Sequence, residues 1–335
     1  MQPLAYVTRG PITECIHLGD IAVCDAEGHL LGAVGDPQRV IYWRSAAKPI
    51  QAQSVVQSGA ADRFAFTAKE LSICCASHHG SADHVATVRG ILAKIGLSED
   101  ALQCGTHWPG DGPESTRLHR EGLQPSKLHN NCSGKHSGML ATTVAVGADP
   151  ATYLDLGHPA QRAILANMSA LTGLAVGDIV IATDGCGAPV HGMPLQRMAT
   201  AFARLCWPDE MPTMIQRAAP RIIAAMAAEP AMVAGEGSFN TDILDAYQGR
   251  VVAKGGAEGL FVLGLTEHGV GLAVRTIDGS HRAHGPIVME ALRQLGMVDE
   301  GVLGTLGRHV RIENRNCRDE VVGVIEPAEW TLAGG

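Results

Sequence analysis

Gly259-Leu260-Phe261-Val262-Leu263-Gly264-Leu265-Thr266-Glu267-His268-Gly269-Val270-Gly271-Leu272-Ala273-Val274-Arg275 reads as two apolar runs joined by a Glu267-His268-Gly269 turn, the pattern of an antiparallel hairpin. The first run is apolar almost without a break, which suits a central strand covered on both faces. Just upstream, Arg250-Val251-Val252-Ala253-Lys254 reads as a further strand. At the other end of the chain, Glu14-Cys15-Ile16-His17-Leu18, Ile21-Ala22-Val23-Cys24-Asp25 and His29-Leu30-Leu31-Gly32-Ala33-Val34 alternate with Gly and Asp breaks, as in a β-meander. Strands at both ends with helices between predict an α/β fold of the α+β type. One mixed antiparallel sheet is expected from about 1–42 and 250–335, with a helical lobe over about 43–249, in a single domain spanning 1–335.

The helices are placed by caps and breakers. Residues 45 to 58 favour a helix with Pro49 in its first turn and Gly59 ending it. Thr67 and Ser81 stand where they cap the two that follow, leaving Ser77 in the turn between them. Residues 105 to 138 look Gly-rich and polar; helical patterns return at 158–172, 194–206 and 212–228, with a strand at Asp178–Ala182. Pro286 to Leu295 predicts a last helix.

With 335 residues, 46% of them hydrophobic, the chain can bury a large core. Its net charge is −8, and its 26 Lys and Arg are scattered, so no footprint for nucleic acid is present and a small-molecule partner is expected. No signal peptide and no apolar run of membrane-spanning length is seen, so no membrane partner is expected and a cytoplasmic protein is. Nine cysteines in a chain that needs no staples argue for reduced thiols.

Chemistry is suggested first by Trp43-Arg44-Ser45-Ala46-Ala47-Lys48-Pro49. A serine hydroxyl becomes a nucleophile when a positioned base takes its proton, and a lysine three residues on shares its helix face. Lys254 ends a strand and is followed by two glycines. With Ser45-x-x-Lys48 and the loop serine Ser77, this order resembles the Ser-x-x-Lys, loop Ser and Lys-Thr-Gly set of penicillin-binding and β-lactamase enzymes. Two further loops, Asn131-Cys132-Ser133-Gly134-Lys135-His136-Ser137-Gly138 and Thr183-Asp184-Gly185-Cys186-Gly187-Ala188-Pro189, set a cysteine among polar neighbours and glycines. Neither has Cys-x-x-Cys spacing. Inert buried thiols, a metal pair, and a Cys132 nucleophile made accessible by Gly134 and Gly138 all remain open on spacing. His17, His107 and His284 read as structural.

Taken together, Arg-Ser-Ala-Ala-Lys-Pro-Ile from Arg44, Cys-Ala-Ser-His from Cys75, Asn-Cys-Ser-Gly-Lys-His-Ser-Gly-Met from Asn131, Asp-Gly-Cys-Gly-Ala-Pro from Asp184 and Lys-Gly-Gly-Ala-Glu-Gly from Lys254 resemble the zinc-containing, class 3 L-asparaginases of the Rhizobium etli type. The resemblance implies a fold similar to the serine β-lactamases and penicillin-binding proteins, hydrolysis of L-asparagine to L-aspartate and ammonia, and a homodimer. It implies Ser45 with Lys48 and Ser77 with Lys254 as Ser-Lys tandems, and Cys132, Lys135 and Cys186 as ligands of zinc. It also implies Arg44 and Asp184, with His136, at the substrate. The expected course is attack by Ser45 on the side-chain amide with Lys48 as base, then hydrolysis of the ester with Ser77 and Lys254 relaying protons. The alternatives are a β-lactamase-like serine esterase or peptidase, and a non-catalytic zinc-dependent amino-acid sensor.

Overall fold

The computed structural model describes residues 1–334. Its strands are β1 (Gln2–Arg9), β2 (Ile12–Asp25), β3 (Leu30–Val34), β4 (Val40–Tyr42), β5 (Val180–Thr183), β6 (Pro189–Pro194), β7 (Val251–Gly256), β8 (Leu260–Leu265), β9 (Val270–Thr276), β10 (Ile312–Arg315) and β11 (Val321–Pro327). The chain divides into two compact units: Met1–Ala46, Met193–Trp207 and the chain from Ala253 onwards make one, Ala47–Gly192 with Pro208–Val252 the other.

The first unit is built on a sheet in the order β10-β11-β1-β2-β9-β8-β7, with β3 also paired to β2. The two chain ends therefore meet in one antiparallel sheet, as expected. The meander differs in one respect. The two runs about Gly19 form a single 14-residue strand, β2. Gly19 is no turn; it is where β2 changes partners, since it faces Gln2 of β1 and Thr276 of β9. A Cβ at Gly19 would run into the Arg275 carbonyl and lie 2.6 Å from the Leu4 side chain. Glycine is required there for close approach rather than for a bend.

The β8–β9 hairpin pairs Leu260 with Arg275 through Leu265 with Val270. Gly264 and Gly271 lie directly opposite each other in this ladder. A Cβ on Gly264 would stand 2.5 Å from the Phe202 carbonyl, and one on Gly271 would overlap the Ala199 carbonyl. The glycine pair thus forms a notch into which the helix Leu195–Cys206 lies, burying Leu195, Met198, Phe202 and Leu205. Side chains alternate along β8, so Phe261 and Leu263 point to the opposite face, where Phe261 meets His284 of the helix His284–Gln294 with ring centroids 5.5 Å apart. Both faces are covered, which is why every residue of β8 is buried.

The second unit is mainly helical. Its first long helix, Lys48–Gln57, is buried at every position but the last. Thr67 caps Ala68–Cys74 and Ser81 caps Ala82–Lys94, each in a reciprocal capping box with Glu70 and His84; such a cap contributes about 1 kcal/mol. The polar stretch 105–138 holds more helix than its composition suggests, in Gly112–Arg120 and the start of Ser133–Ala145. Gly134 and Gly138 lie one turn apart on the latter, and a Cβ there would strike the Ile73 carbonyl and stand 2.9 Å from Cys74 Sγ. These glycines let two helices touch backbone to side chain; they do not open Cys132, which is 5% exposed. Among the described residues no helix is long and apolar enough to cross a membrane.

Candidate active site

In the helical unit, the capped helices Ala68–Cys74 and Ala82–Lys94 are joined by a turn carrying Ser77, whose N–H donates to the Val233 carbonyl at 2.8 Å. Lys48, at the first position of its helix and 1% exposed, reaches this turn. Its Nζ lies 2.9 Å from Ser77 Oγ, 2.5 Å from the Ala76 carbonyl and 3.4 Å from the Asn131 carbonyl. A protonated lysine donates to all three. A neutral one donates two N–H bonds to the carbonyls and keeps its lone pair for the Ser77 hydroxyl. Burial, opposed in part by the Cys132 sulfur and reinforced by Lys135, holds the Lys48 amine below its ordinary value. The geometry therefore suits a base that takes a proton from a serine.

A thiol and amine cluster adjoins it. Cys132 precedes the helix Ser133–Ala145, Lys135 lies in its first turn, and Cys186 sits in the loop between β5 and β6, whose residues pair antiparallel from Val180 with Gly192 to Thr183 with Pro189. Lys135 Nζ donates to Cys186 Sγ at 2.9 Å, and Asp184 Oδ2 stands 3.8 Å from the same sulfur. The Cys132 and Cys186 thiols lie within hydrogen-bonding reach of one another. That contact, with the Lys48 and Lys135 charges, draws Cys132 well below the usual thiol range, while Cys186 is pushed up. Lys135 is pushed up by the Cys132 and Cys186 sulfurs despite its burial. All nine cysteines are free thiols. Two buried sulfurs and an amine converging in this way form a soft donor set that fits zinc.

His136, fully buried in the next position, adds an unpaired ring nitrogen. Tyr153 Oη accepts from the Gln103 N–H at 2.9 Å and is hydrogen-bonded to His136 Nδ1 at 2.6 Å. The other ring nitrogen, Nε2, has no partner among the described residues. Burial and the Lys135 and Lys48 charges hold this histidine neutral, well below its ordinary value. A buried polar nitrogen left without a partner costs about 1–3 kcal/mol. Two other histidines brace the turns. His107, read as structural, accepts the Asn131 N–H at 2.8 Å. His78 accepts from Gly80 N, so its Nε2 donates to Ser133 Oγ at 2.9 Å and ties the Ser77 turn to the Cys132 turn. Neither contact has a spacing signal in the sequence.

In the sheet unit, Arg44 and Ser45 lie in a 3-10 turn spanning Arg44–Ala47. Trp43 anchors it, fully buried, with Nε1 donating to Met193 Sδ at 3.0 Å and its ring stacked on Phe202 at 5.9 Å. Lys254, on β7 and 1% exposed, donates to the Gly255 carbonyl at 2.6 Å. Gly256 presses against the turn: a Cβ there would be 2.8 Å from the Trp43 carbonyl and 3.1 Å from Ala46 N. Arg44 Nη1 pairs with Glu258 Oε1 at 3.6 Å. Arg44 and Glu258 both have positive φ, +47° and +63°. Left-handed backbone costs about 1–2 kcal/mol at each such residue, whereas an exposed ion pair contributes about 0–1 kcal/mol.

The structure thus brings Lys48 to Ser77, and Cys132, Lys135 and Cys186 to one another, with Asp184 beside Cys186. Ser45, Arg44 and Lys254 share the sheet unit. Sequence reading gave no role to Tyr153, nor to His78 and Glu258, although both of the latter lie inside the quoted motifs. Glu258 also left a local signal, a Glu-Gly step where a hairpin turns.

A family model described as L-asparaginase II matches residues 5–327. No individually curated protein matches the chain. Solved structures similar to it include a β-lactamase (Mb2281c) from Mycobacterium bovis, 12% identical, with a TM-score of 0.38 over 84% of this chain and 95% of that one. Another is Mglu in its native form, 14% identical, with a TM-score of 0.37 over 85% of this chain and 67% of that one.

Proposed function

Because the chain belongs to the L-asparaginase II family over residues 5–327, we propose that it is an asparaginase of the zinc-containing Rhizobium etli type, hydrolysing L-asparagine to L-aspartate and ammonia through a serine ester. The observation that carries this reading is the 2.9 Å contact of the buried Lys48 Nζ, the base of the first expected Ser-Lys tandem, with Ser77 Oγ, the serine of the second. It sets a desolvated amine, the form of lysine that accepts protons, against a hydroxyl at the end of a fixed turn.

In this mechanism Ser45 Oγ, three residues before Lys48 in the chain, attacks the side-chain amide carbon of asparagine, and its proton passes to Lys48. The tetrahedral intermediate collapses as the proton is delivered to the amide nitrogen, and ammonia leaves. A β-aspartyl ester remains on Ser45. Water then attacks the ester, with Ser77 and Lys254 moving its proton, and aspartate departs with Ser45 restored. Arg44 takes the α-carboxylate and Asp184 the α-ammonium. The unpartnered His136 Nε2 is free to meet a polar group of the substrate.

Cys132, Lys135 and Cys186 would hold zinc, and the bound ion would supply a fixed positive charge that positions the substrate. The serine already provides the nucleophile, so no metal hydroxide is needed. We further propose a cytoplasmic homodimer.

Ammonia release from L-asparagine and L-glutamine, with and without zinc, tests the reading. Turnover of asparagine that Ser45→Ala abolishes supports it. Retention of near-wild-type turnover by Ser45→Ala removes Ser45 as nucleophile. Tight asparagine binding without ammonia would make the protein a sensor, and acylation by a penicillin without asparaginase activity would make it a different serine hydrolase.

A further inference from the structure

The step from β7 to β8 is made by Glu258 at φ +63° and Gly259 at φ +72° in succession. Asn-Gly or Asp-Gly is the ordinary choice for two left-handed residues at a hairpin, because a short side chain tolerates the conformation. Gly259 has a local reason, since a Cβ there would overlap Thr276 Oγ1. The Glu258 carboxylate is 64% exposed and stands 3.6 Å from the Arg44 guanidinium, on a residue that is itself left-handed at φ +47°. It also faces Arg275 and His281 electrostatically. Two charged residues of opposite sign are thus held in disfavoured backbone conformations, side by side, one of them next to Ser45 in the chain. Strain of this kind persists where a ligand-binding arrangement requires it.

We infer that Glu258 is a specificity residue that binds the α-ammonium of the substrate while Arg44 binds the α-carboxylate, so the substrate class is the free, zwitterionic α-amino acid rather than an asparagine within a peptide. The inference rests on the asparaginase reading, which assigns Arg44; the role of Glu258 is additional to it. A free amino acid carries its two charges on one carbon, and an adjacent guanidinium and carboxylate present the inverse pair at a similar separation. An ammonium has three N–H donors, so a second carboxylate alongside Asp184 is chemically admissible. Acylating the amine removes the cation and leaves Glu258 a neutral amide to face.

The test uses the full-length, zinc-loaded protein and its variants Glu258→Gln and Glu258→Asn, with L-asparagine and N-acetyl-L-asparagine as substrates. Both variants are expected to raise KM for L-asparagine about tenfold or more with kcat within about twofold, and to shrink the preference for asparagine over its N-acetyl derivative by the same factor. Glu258→Asn suits the left-handed turn and is expected to match or exceed the wild-type melting temperature, so a loss of affinity in that variant is not a loss of fold. Unchanged KM and preference overturn the inference. A lowered KM also overturns it, because Glu258 would then merely compete for Arg44. Should the wild type release no ammonia from asparagine, the asparaginase reading falls, and calorimetric binding of the two compounds to wild type and Glu258→Asn decides the clamp separately: equal loss for both compounds, or none, rejects it.

Discussion

Lys48 Nζ stands 2.9 Å from Ser77 Oγ, and the two carbonyls of Ala76 and Asn131 complete its surroundings. The arrangement fixes where the lone pair of a neutral lysine points, because two acceptors claim its two N–H bonds. If the pair acts as a unit, removing either partner disables both. Lys48→Met and Ser77→Ala are each expected to lower kcat by roughly a thousandfold, and the double variant by no more than the worse single one. Single-turnover ammonia release measures this, and multiplicative losses in the double variant would show that the two residues work independently.

His284 predicts an acid limb in stability. It is buried against Phe261, and burial pushes its pKa down to about 4 from 6.5. The unfolded chain therefore binds a proton between these values that the folded one refuses. Stability is fully present above pH 6.5 and is lost as the pH falls towards 4, by about 2–3 kcal/mol at pH 4.5 from this residue alone. Urea unfolding of His284→Gln, whose amide keeps a donor at this position, should show a smaller difference between pH 7 and pH 4.5 than the wild type. An equal difference in both would place the acid sensitivity elsewhere.

How far the sequence carried follows from where each determinant lies. The β8–β9 hairpin was legible because its pattern is local: two apolar runs and a turn. Thr67 and Ser81 were legible because a cap acts on residues two or three away. The helix Ser133–Ala145 was hidden, since Gly134 and Gly138 look like loop residues until Ile73 and Cys74 are seen against them. Gly19 was misread for the same reason, its partners being Gln2 and Thr276. At the candidate site, the contact of Lys48 with Ser77 could not be read from the sequence, because the two lie 29 residues apart. Tyr153 gave no signal, because what orients His136 is a hydroxyl 17 residues away.

The notch formed by Gly264 and Gly271 predicts an asymmetric response to added methyl groups. Gly271→Ala would drive a Cβ into the Ala199 carbonyl and push the helix Leu195–Cys206 off the sheet, at about 1–3 kcal/mol. Gly304, in the helix Glu300–Val310, has open space around its Cβ position. Gly304→Ala should stabilise by about 0.5–1 kcal/mol through helix propensity. Chemical denaturation of the two variants checks both signs, and a neutral Gly271→Ala would mean that the helix shifts without loss.

Zinc uptake should release protons, and their number follows from the state of the donors. Cys132 is drawn well below the usual thiol range by its contact with Cys186, so it is the donor expected to add least to the proton release. Cys186 is pushed up and Lys135 is pushed up, so each holds a proton at neutral pH that coordination must remove. Binding is then expected to release about two protons per ion, and affinity to fall about a hundredfold for each unit decrease in pH. Calorimetry in buffers of differing ionisation enthalpy counts the protons, and chelator competition at pH 6 and 7 gives the slope. Lys135→Met should leave about one proton released, because the amine contributes the other. A wild-type release of one proton, unchanged in Lys135→Met, would show that the lysine stays an ammonium beside the thiolates and is no ligand.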